Sequence, residues 1–408
     1  MKKAELLAPA GDMGKLETAL HFGADAAYFA GKKFGLRAFA GNFDEGEMQK
    51  AFELLRKEGK KGYVALNIFA SNADFGELRD YVRFLRDIGA DGIIASDPGV
   101  ISFVKNLCPD LDIHLSTQAN TTNKYSVSFW RDMGVKRVVL ARELSLDDIK
   151  EIKDFVGNSV ELEAFVHGAM CISYSGRCLL SSYLTDRDSN RGECVQACRW
   201  EYAITEKSRL DSGSPLTVQE DARGTYILNS KDMNTISVLD KIVDAGVSSL
   251  KIEGRMKSEY YVGCVVNAYR KRLDGIYAGK PYDSYWEEEL KKVNHREYTT
   301  GFYFGRAEQC YETSKPDNPY SFVALVKGYD EERGLLEIEM RNRFKKGDLL
   351  EAVSVTDART VKADRIFDSD GKEVVDCKIV QQRLFIETDV KLEKNDMLRI
   401  ANGGKNVK

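Results

Sequence analysis

No stretch of this 408-residue sequence approaches the roughly 18 uninterrupted apolar residues that crossing a bilayer takes, so no membrane span is expected. The opening residues, MKKAELLAPAGD, reach Glu5 and Pro9 before any apolar run long enough for a secretory leader, and a cytoplasmic protein is expected. Charge of one sign is not in excess either: 60 Lys and Arg against 64 Asp and Glu leave a formal net charge of −4. That balance argues against nonspecific coating of nucleic acid, though it permits a local basic patch. Missing too are HExxH, GxSxG, a Walker A sequence, GxGxxG after a strand, and the CxxxCxxC of radical enzymes. The mechanisms those motifs define therefore lack support.

What is present is a chain with 43% hydrophobic and 30% charged residues, long enough for one large folded domain and a small one. From residue 4 to about residue 255, short apolar runs alternate with longer amphipathic stretches, as parallel strands joined by crossover helices require. Eight strands are expected: Glu5–Pro9, Ala26–Ala30, Tyr63–Phe69, Gly92–Ser96, Asp112–Ser116, Arg137–Ala141, Glu161–Val166 and Ser248–Glu253. Helices are expected over Met13–Phe22, Glu45–Glu58, Phe75–Ile88, Pro98–Asn106, Lys124–Met133, Ser145–Phe155 and Met233–Ala245, with a longer one at Ser258–Gly275. Eight such repeats close a (β/α)8 TIM-like barrel, placed at residues 1–305. The repeat breaks once, after the seventh strand, where residues 168 to about 229 form an insertion on the end of the barrel that carries active sites. After a linker at 306–319, residues 320–408 predict a small all-β barrel domain. Its expected strands are Phe322–Lys327, Leu335–Met340, Leu349–Val355, Ala363–Phe367 and Leu384–Thr388.

Eight cysteines in a reducing compartment are not expected to form a disulfide framework. Four of them, Cys171, Cys178, Cys194 and Cys198, fall in the insertion within 28 residues, and four thiolates suit a tetrahedral metal or the corners of a cubane cluster. A structural zinc site usually shows two tight Cys pairs and this run has one, so an iron–sulfur cluster is the expectation and zinc the alternative. Cys108, Cys264, Cys310 and Cys377 stand apart and read as small buried hydrophobes. Gly168, Gly176 and Gly192 punctuate the insertion and allow tight turns. Of the polar residues near strand ends, His167, Gln118, Glu253 and Arg255 are candidate catalytic groups, alongside Asp12, Asn67, Asp97 and Glu143. Arg255, in the stretch Lys251–Arg255, suits an anionic ligand, with a purely structural ion pair as the competing reading. For RNA, Arg341, Arg343, Lys345 and Lys346 surround Phe344 as phosphate contacts around a stacking ring, and Arg270, Lys271 and Arg272 form a second basic stretch.

The segments ELLAPAGD at 5–12, HLSTQAN at 114–120, ELEAFVHGAMCISYSGRCLLSSYLTDRDSNRGECVQACRW at 161–200, YILNSKDM at 226–233, KIEGRMKSEYY at 251–261 and HREYTTGFYFG at 295–305 resemble the peptidase U32 family over essentially the whole chain. Despite its name, the resemblance implies oxygen-independent hydroxylation of tRNA, ribosomal RNA or a ubiquinone precursor, with a [4Fe–4S] cluster. A barrel followed by a small β domain resembles the branch that forms 5-hydroxyuridine at the wobble position (U34) of tRNA, with prephenate as the oxygen source. The resemblance carries over Cys171, Cys178 and Cys194 as cluster ligands. Some members have a cysteine in the stretch corresponding to Ser230–Asn234, and this chain has Asn234, which leaves Cys198 as the remaining candidate. The implied partners are the tRNA anticodon loop, a small dicarboxylate co-substrate and a ferredoxin-like electron donor. Two other classes compete: a collagenase-like peptidase using Cys171 and His167, and an RNA-binding accessory protein whose metal is structural.

Overall fold

The computed structural model describes residues 3–35, 41–171, 173–176, 178–185, 187, 193–200, 219–221, 224–226, 230–305, 307, 316–356 and 360–402. Gly192 and Cys310 lie outside these residues. Along the chain come β1 (Glu5–Pro9), α1 (Met13–His21), β2 (Ala26–Phe29), α2 (Glu45–Lys57), β3 (Lys61–Ala65), α3 (Phe75–Asp87) and β4 (Gly92–Ala95). The alternation continues through α4 (Pro98–Leu107), β5 (Ile113–Leu115), α5 (Lys124–Asp132), β6 (Arg137–Val139), α6 (Leu146–Val156) and β7 (Glu161–Ala169). Then follow α7 (Leu180–Thr185), a short antiparallel pair β8 (Gln219–Asp221) and β9 (Gly224–Tyr226), β10 (Asp232–Asn234), α8 (Leu239–Asp244) and β11 (Ser249–Ile252).

Strands β1 to β7 pair in parallel in chain order, and β11 pairs in parallel with both β7 and β1. Eight strands thus close into a TIM-like barrel, and the strands are buried because helices cover the outer wall while side chains fill the inside. The helices follow from local signals. Asp44 accepts from the Glu47 N–H and Glu47 reaches back to Asp44 N in a capping box, after which Met48, Ala51, Phe52 and Leu55 fall on one buried face of α2. Ser145 and Asp148 repeat the same box at α6.

The expected helix Met233–Ala245 is corrected. Met233 lies in β10, which runs antiparallel to the last residues of β7 (Asn234 opposite His167, Asp232 opposite Ala169), and the helix starts only at Leu239. The reason is the length of β7: at nine residues it outlasts its neighbours, and its unpaired edge past the barrel needs a partner. β10 supplies it, and a two-residue strand β12 (Tyr298–Thr299) extends the edge further.

A second compact unit contains Glu17–Ala24, Lys257–His295 and Asp317–Lys408. Helices α9 (Glu259–Tyr277) and α10 (Tyr285–Leu290), placed with the barrel by the sequence reading, therefore group with the β module. Its strands are β13 (Tyr320–Asp330), β14 (Leu335–Met340), β15 (Phe344–Lys345), β16 (Leu349–Val353), β17 (Thr360–Lys362), β18 (Ile366–Asp368), β19 (Asp376–Cys377), β20 (Arg383–Glu387) and β21 (Met397–Ala401). Seven form an antiparallel half-barrel in the order β17-β16-β21-β13-β14-β20-β18, and β15 pairs with β19. The expected strand Ala363–Phe367 is not continuous: Ala363 follows β17, and β18 begins at Ile366. β21 escaped the sequence reading because Arg399 interrupts its apolar run. That side chain is nevertheless buried, its Nη2 bonded to Glu289 Oε2 at 2.6 Å and Glu351 Oε2 at 2.9 Å. Among the described residues no helix is long and apolar enough to cross a membrane.

Candidate active site

The barrel interior carries charge where apolar strands were expected. Strand register sets Glu5, Ser249 and Glu163 at one level. Arg137 Nη1 lies 2.6 Å from Glu5 Oε1 and 3.2 Å from Glu163 Oε2, and its Nη2 lies 2.7 Å from Glu161 Oε2. The Lys251 ammonium is 2.8 Å from Glu163 Oε1, and Ser249 Oγ donates to Glu163 Oε2 at 2.9 Å. Tyr63 donates to Glu5 Oε2, and its ring lies 4.4 Å from that of His114. A carboxylate as buried as Glu163 is tolerable only because each oxygen has a cation or hydroxyl.

Burial pushes the Glu163 carboxyl up, but Lys251 and Arg137 outweigh it and hold the group down at about 2. Burial, reinforced by Arg137, pushes the His114 imidazole down to about 3, so it is neutral at pH 7. Both groups bind protons more readily in the unfolded chain. Their contribution is therefore full above the ordinary values of 6.5 and 4.5 and is lost as pH falls toward the folded values. Shifts of this size correspond to roughly 3 to 5 kcal/mol each. Urea unfolding followed from pH 8 downward is expected to hold a steady midpoint to about pH 6.5 and then fall steeply. An unchanged midpoint at pH 4 would contradict a neutral, buried His114.

Above this level lies the mouth. Tyr28 on β2 packs its ring 4.4 Å from Lys251 Nζ, and its hydroxyl reaches the Ile252 carbonyl at 3.0 Å and Glu253 Oε2 at 3.3 Å. Glu253 follows β11 directly, and its N–H donates to the His167 carbonyl at 2.9 Å. Gly168 explains why the two strands approach so closely: at φ +112°, a Cβ there would sit 2.4 Å from the Glu253 carbonyl oxygen. His167 is buried within β7 rather than ending it, with its ring 5.5 Å from that of Tyr298. Arg255 is also buried, at 5% exposure, and a Cβ on Gly11 would sit 2.4 Å from its carbonyl oxygen. His167, Glu253 and Arg255 are thus brought to one side of the mouth by β7, β10 and β11. Gln118 stands after β5, beneath the cysteine insertion: a Cβ on Gly176 would lie 2.1 Å from its carbonyl oxygen.

The described start of the insertion is tied down over β5, β6 and β7. Ser175 N donates to Glu143 Oε1 at 3.1 Å, and Arg142 Nη1 donates to the Ala169 carbonyl at 2.6 Å while its guanidinium lies 3.9 Å over Phe165. Ser181 Oγ donates to Cys194 Sγ at 3.8 Å. Cys171 is exposed and Cys178, Cys194 and Cys198 are half-buried, whereas Cys108, Cys264 and Cys377 are fully buried, as expected of hydrophobes. The accessible cysteines offer soft thiolate donors suited to zinc or iron–sulfur. Among the described residues, however, no three His, Cys, Asp or Glu side chains are gathered as a metal-binding set. Tyr28, Arg142 and the Glu163–Lys251 pair escaped sequence reasoning. The alternation of Glu161 and Glu163 and the lone cations Arg137 and Lys251 within apolar strands were the available signal.

The basic candidates in the second unit are placed differently from expectation. Phe344 is corrected as a stacking ring: it is 2% exposed, in the core of the half-barrel, because its side of β15 faces inward. Arg343 forms a two-point ion pair with Asp376, Lys346 pairs with Glu373, and Arg341 pairs with Glu339 and Glu259. Lys345 is exposed. The Arg270 to Arg272 stretch is likewise engaged: Arg270 with Asp274, Lys271 with the Val355 carbonyl, and Arg272 over the Tyr282 ring.

A family model described as Peptidase family U32 matches residues 11–313, and one described as Peptidase family U32 C-terminal domain matches residues 318–399. The chain is 40% identical over 406 residues to tRNA hydroxylation protein P1 of Bacillus subtilis (strain 168), covering 98% of this chain and 95% of that protein. It is 39% identical over 396 residues to tRNA hydroxylation protein P of Escherichia coli (strain K12), covering 87% of each. It is also 33% identical over 316 residues to a protein named Collagenase from Porphyromonas gingivalis (strain ATCC BAA-308 / W83), covering 74% of each.

Proposed function

The chain belongs to peptidase family U32, and from that premise we propose that it is an RNA-modifying enzyme that hydroxylates tRNA, forming 5-hydroxyuridine at the wobble position. The observation that carries this reading is the end-to-end similarity to the Bacillus tRNA hydroxylation protein, 40% identity across 98% of the chain. Cys171, Cys178, Cys194 and Cys198 are the proposed holders of an iron–sulfur cluster, which would supply electron transfer beside the mouth. Prephenate is the proposed oxygen source. Arg255 suits one of its carboxylates, and Glu253 suits the proton that leaves C5 of the base. His167 and Gln118 complete the mouth. A wobble uridine must leave its stack to reach that mouth, so the anticodon loop is the proposed binding element and a ferredoxin-like protein the proposed electron partner.

The test is anaerobic purification with iron, sulfide and zinc analysis, joined to mass spectrometry of tRNA nucleosides from cells with and without the gene. About four irons per chain and loss of 5-hydroxyuridine-derived nucleosides are the expected result. A second reading, peptidase activity, is favoured by the likeness to the collagenase-named relative. Unchanged tRNA nucleosides together with hydrolysis of gelatin by the purified protein would replace the first reading with the second.

A further inference from the structure

The Tyr28 hydroxyl has one hydrogen and, among the described residues, these two acceptors in reach. Ile252 O lies at 3.0 Å and Glu253 Oε2 at 3.3 Å. That arrangement suits both protonation states of the carboxyl. When Glu253 is ionised, the phenol hydrogen turns toward it as a charge-assisted donor. When Glu253 carries a proton, its own O–H donates to the phenol oxygen, and the phenol hydrogen turns to the Ile252 carbonyl. Both states keep the Tyr28 hydroxyl bonded, and passing between them takes one proton on or off Glu253 together with a rotation of the phenol O–H.

The ring that carries this hydroxyl is held firmly. Tyr28 is 4% exposed and sits 4.4 Å from the Lys251 ammonium, which is anchored in turn by Glu163 at 2.8 Å. Ionisable side chains on the neighbouring strands contribute to this setting: Glu5 from β1, Tyr28 from β2, Glu163 and His167 from β7, and Lys251, Glu253 and Arg255 on the β11 stretch itself. The buried Lys251–Glu163 ion pair thereby holds the Tyr28 ring at the mouth.

We infer that Tyr28 is a positioning residue that holds the Glu253 carboxyl through a proton-transfer cycle by switching its hydrogen between Glu253 and the Ile252 carbonyl. The inference rests on the reading of Glu253 as the proton-handling group of the proposed hydroxylase.

Tyr28→Phe keeps the ring over Lys251 and removes only the hydroxyl. The ionised state loses the stronger, charge-assisted bond, so the carboxyl should take up a proton at higher pH. In assays of tRNA hydroxylation the variant is expected to lose kcat by about ten- to a hundredfold, with KM for tRNA unchanged and the acid limb of the pH profile moved upward. Its melting temperature, followed by circular dichroism, is the control for folding. An active wild type whose kcat and pH profile survive Tyr28→Phe overturns the inference and leaves the hydroxylase reading standing. If the wild type itself forms no 5-hydroxyuridine, the functional reading fails. The pairing is then decided by infrared titration of the carboxyl band that Glu253→Gln removes. A titration midpoint raised by Tyr28→Phe supports the pairing, and an unmoved midpoint overturns it.

Discussion

Serine at Cys194 is expected to abolish tRNA hydroxylation, by more than about a hundredfold, while leaving the unfolding transition of the protein nearly where it was. The two halves of this outcome have separate causes. With Cys194 as a ligand of the proposed cluster, activity is lost because a serine hydroxyl is a poor substitute for a thiolate donor to iron. Stability is kept because the Cys194 sulfur is half-buried and accepts only a weak bond from Ser181 among the described residues. The insertion is attached to the barrel elsewhere, through Ser175 to Glu143 and Arg142 to Ala169. Nucleoside mass spectrometry and thermal unfolding, measured on the same preparation, read the two effects apart. The same result is expected for Cys171 and Cys178, and the Cys198→Ser variant decides whether that residue is the fourth ligand. Cys108→Ser is the contrast, since that thiol is fully buried: it should lower stability and spare modification. Full modification by Cys194→Ser would remove the thiolate from the chemistry.

Lys251→Met alone is expected to lower the unfolding free energy by about 3 to 5 kcal/mol, because it strands the Glu163 carboxylate in the barrel with one cation fewer. The combined variant Lys251→Met, Glu163→Gln should recover a large part of that loss, since it removes the unpaired charge together with its partner. Urea denaturation of the two single variants and the double variant closes the cycle. Equal loss in the double variant and in Lys251→Met would mean that methionine cannot pack at this level, and that the ion pair is not what Lys251 contributes. Arg137 is the reason the loss stays finite: it remains 3.2 Å from Glu163 Oε2 after the lysine has gone.

The order of strands and helices was legible because apolar periodicity is a local property. Glu5–Pro9 appears as written, and the remaining barrel strands fall within their expected runs or overlap them. The insertion was legible for the same reason, as the one place where the repeat fails. Its four cysteines were visible as a group because they fall close together in sequence. Where the reading went astray, the deciding contact was distant. Met233 looked like the start of a helix and became a strand because β7, more than sixty residues earlier, ran past the barrel and offered an open edge. Phe344, flanked by four cationic side chains, looked like a stacking ring, yet its alternation in a two-residue strand turned it into the core.

The chain's own sequence determined a closed parallel barrel, a cysteine-bearing insertion after its seventh strand, a small β domain and membership of family U32. Each of these is written in short-range pattern or in residue identity at fixed spacing. Only the tertiary structure decided which charges meet. Glu163, Lys251, Arg137 and Glu5 come from four strands and form one buried network. Tyr28 joins Glu253 across 225 residues of sequence. Coulombic attraction and hydrogen bonding act over a few ångströms of space, and closing the barrel converts large separations along the chain into those distances.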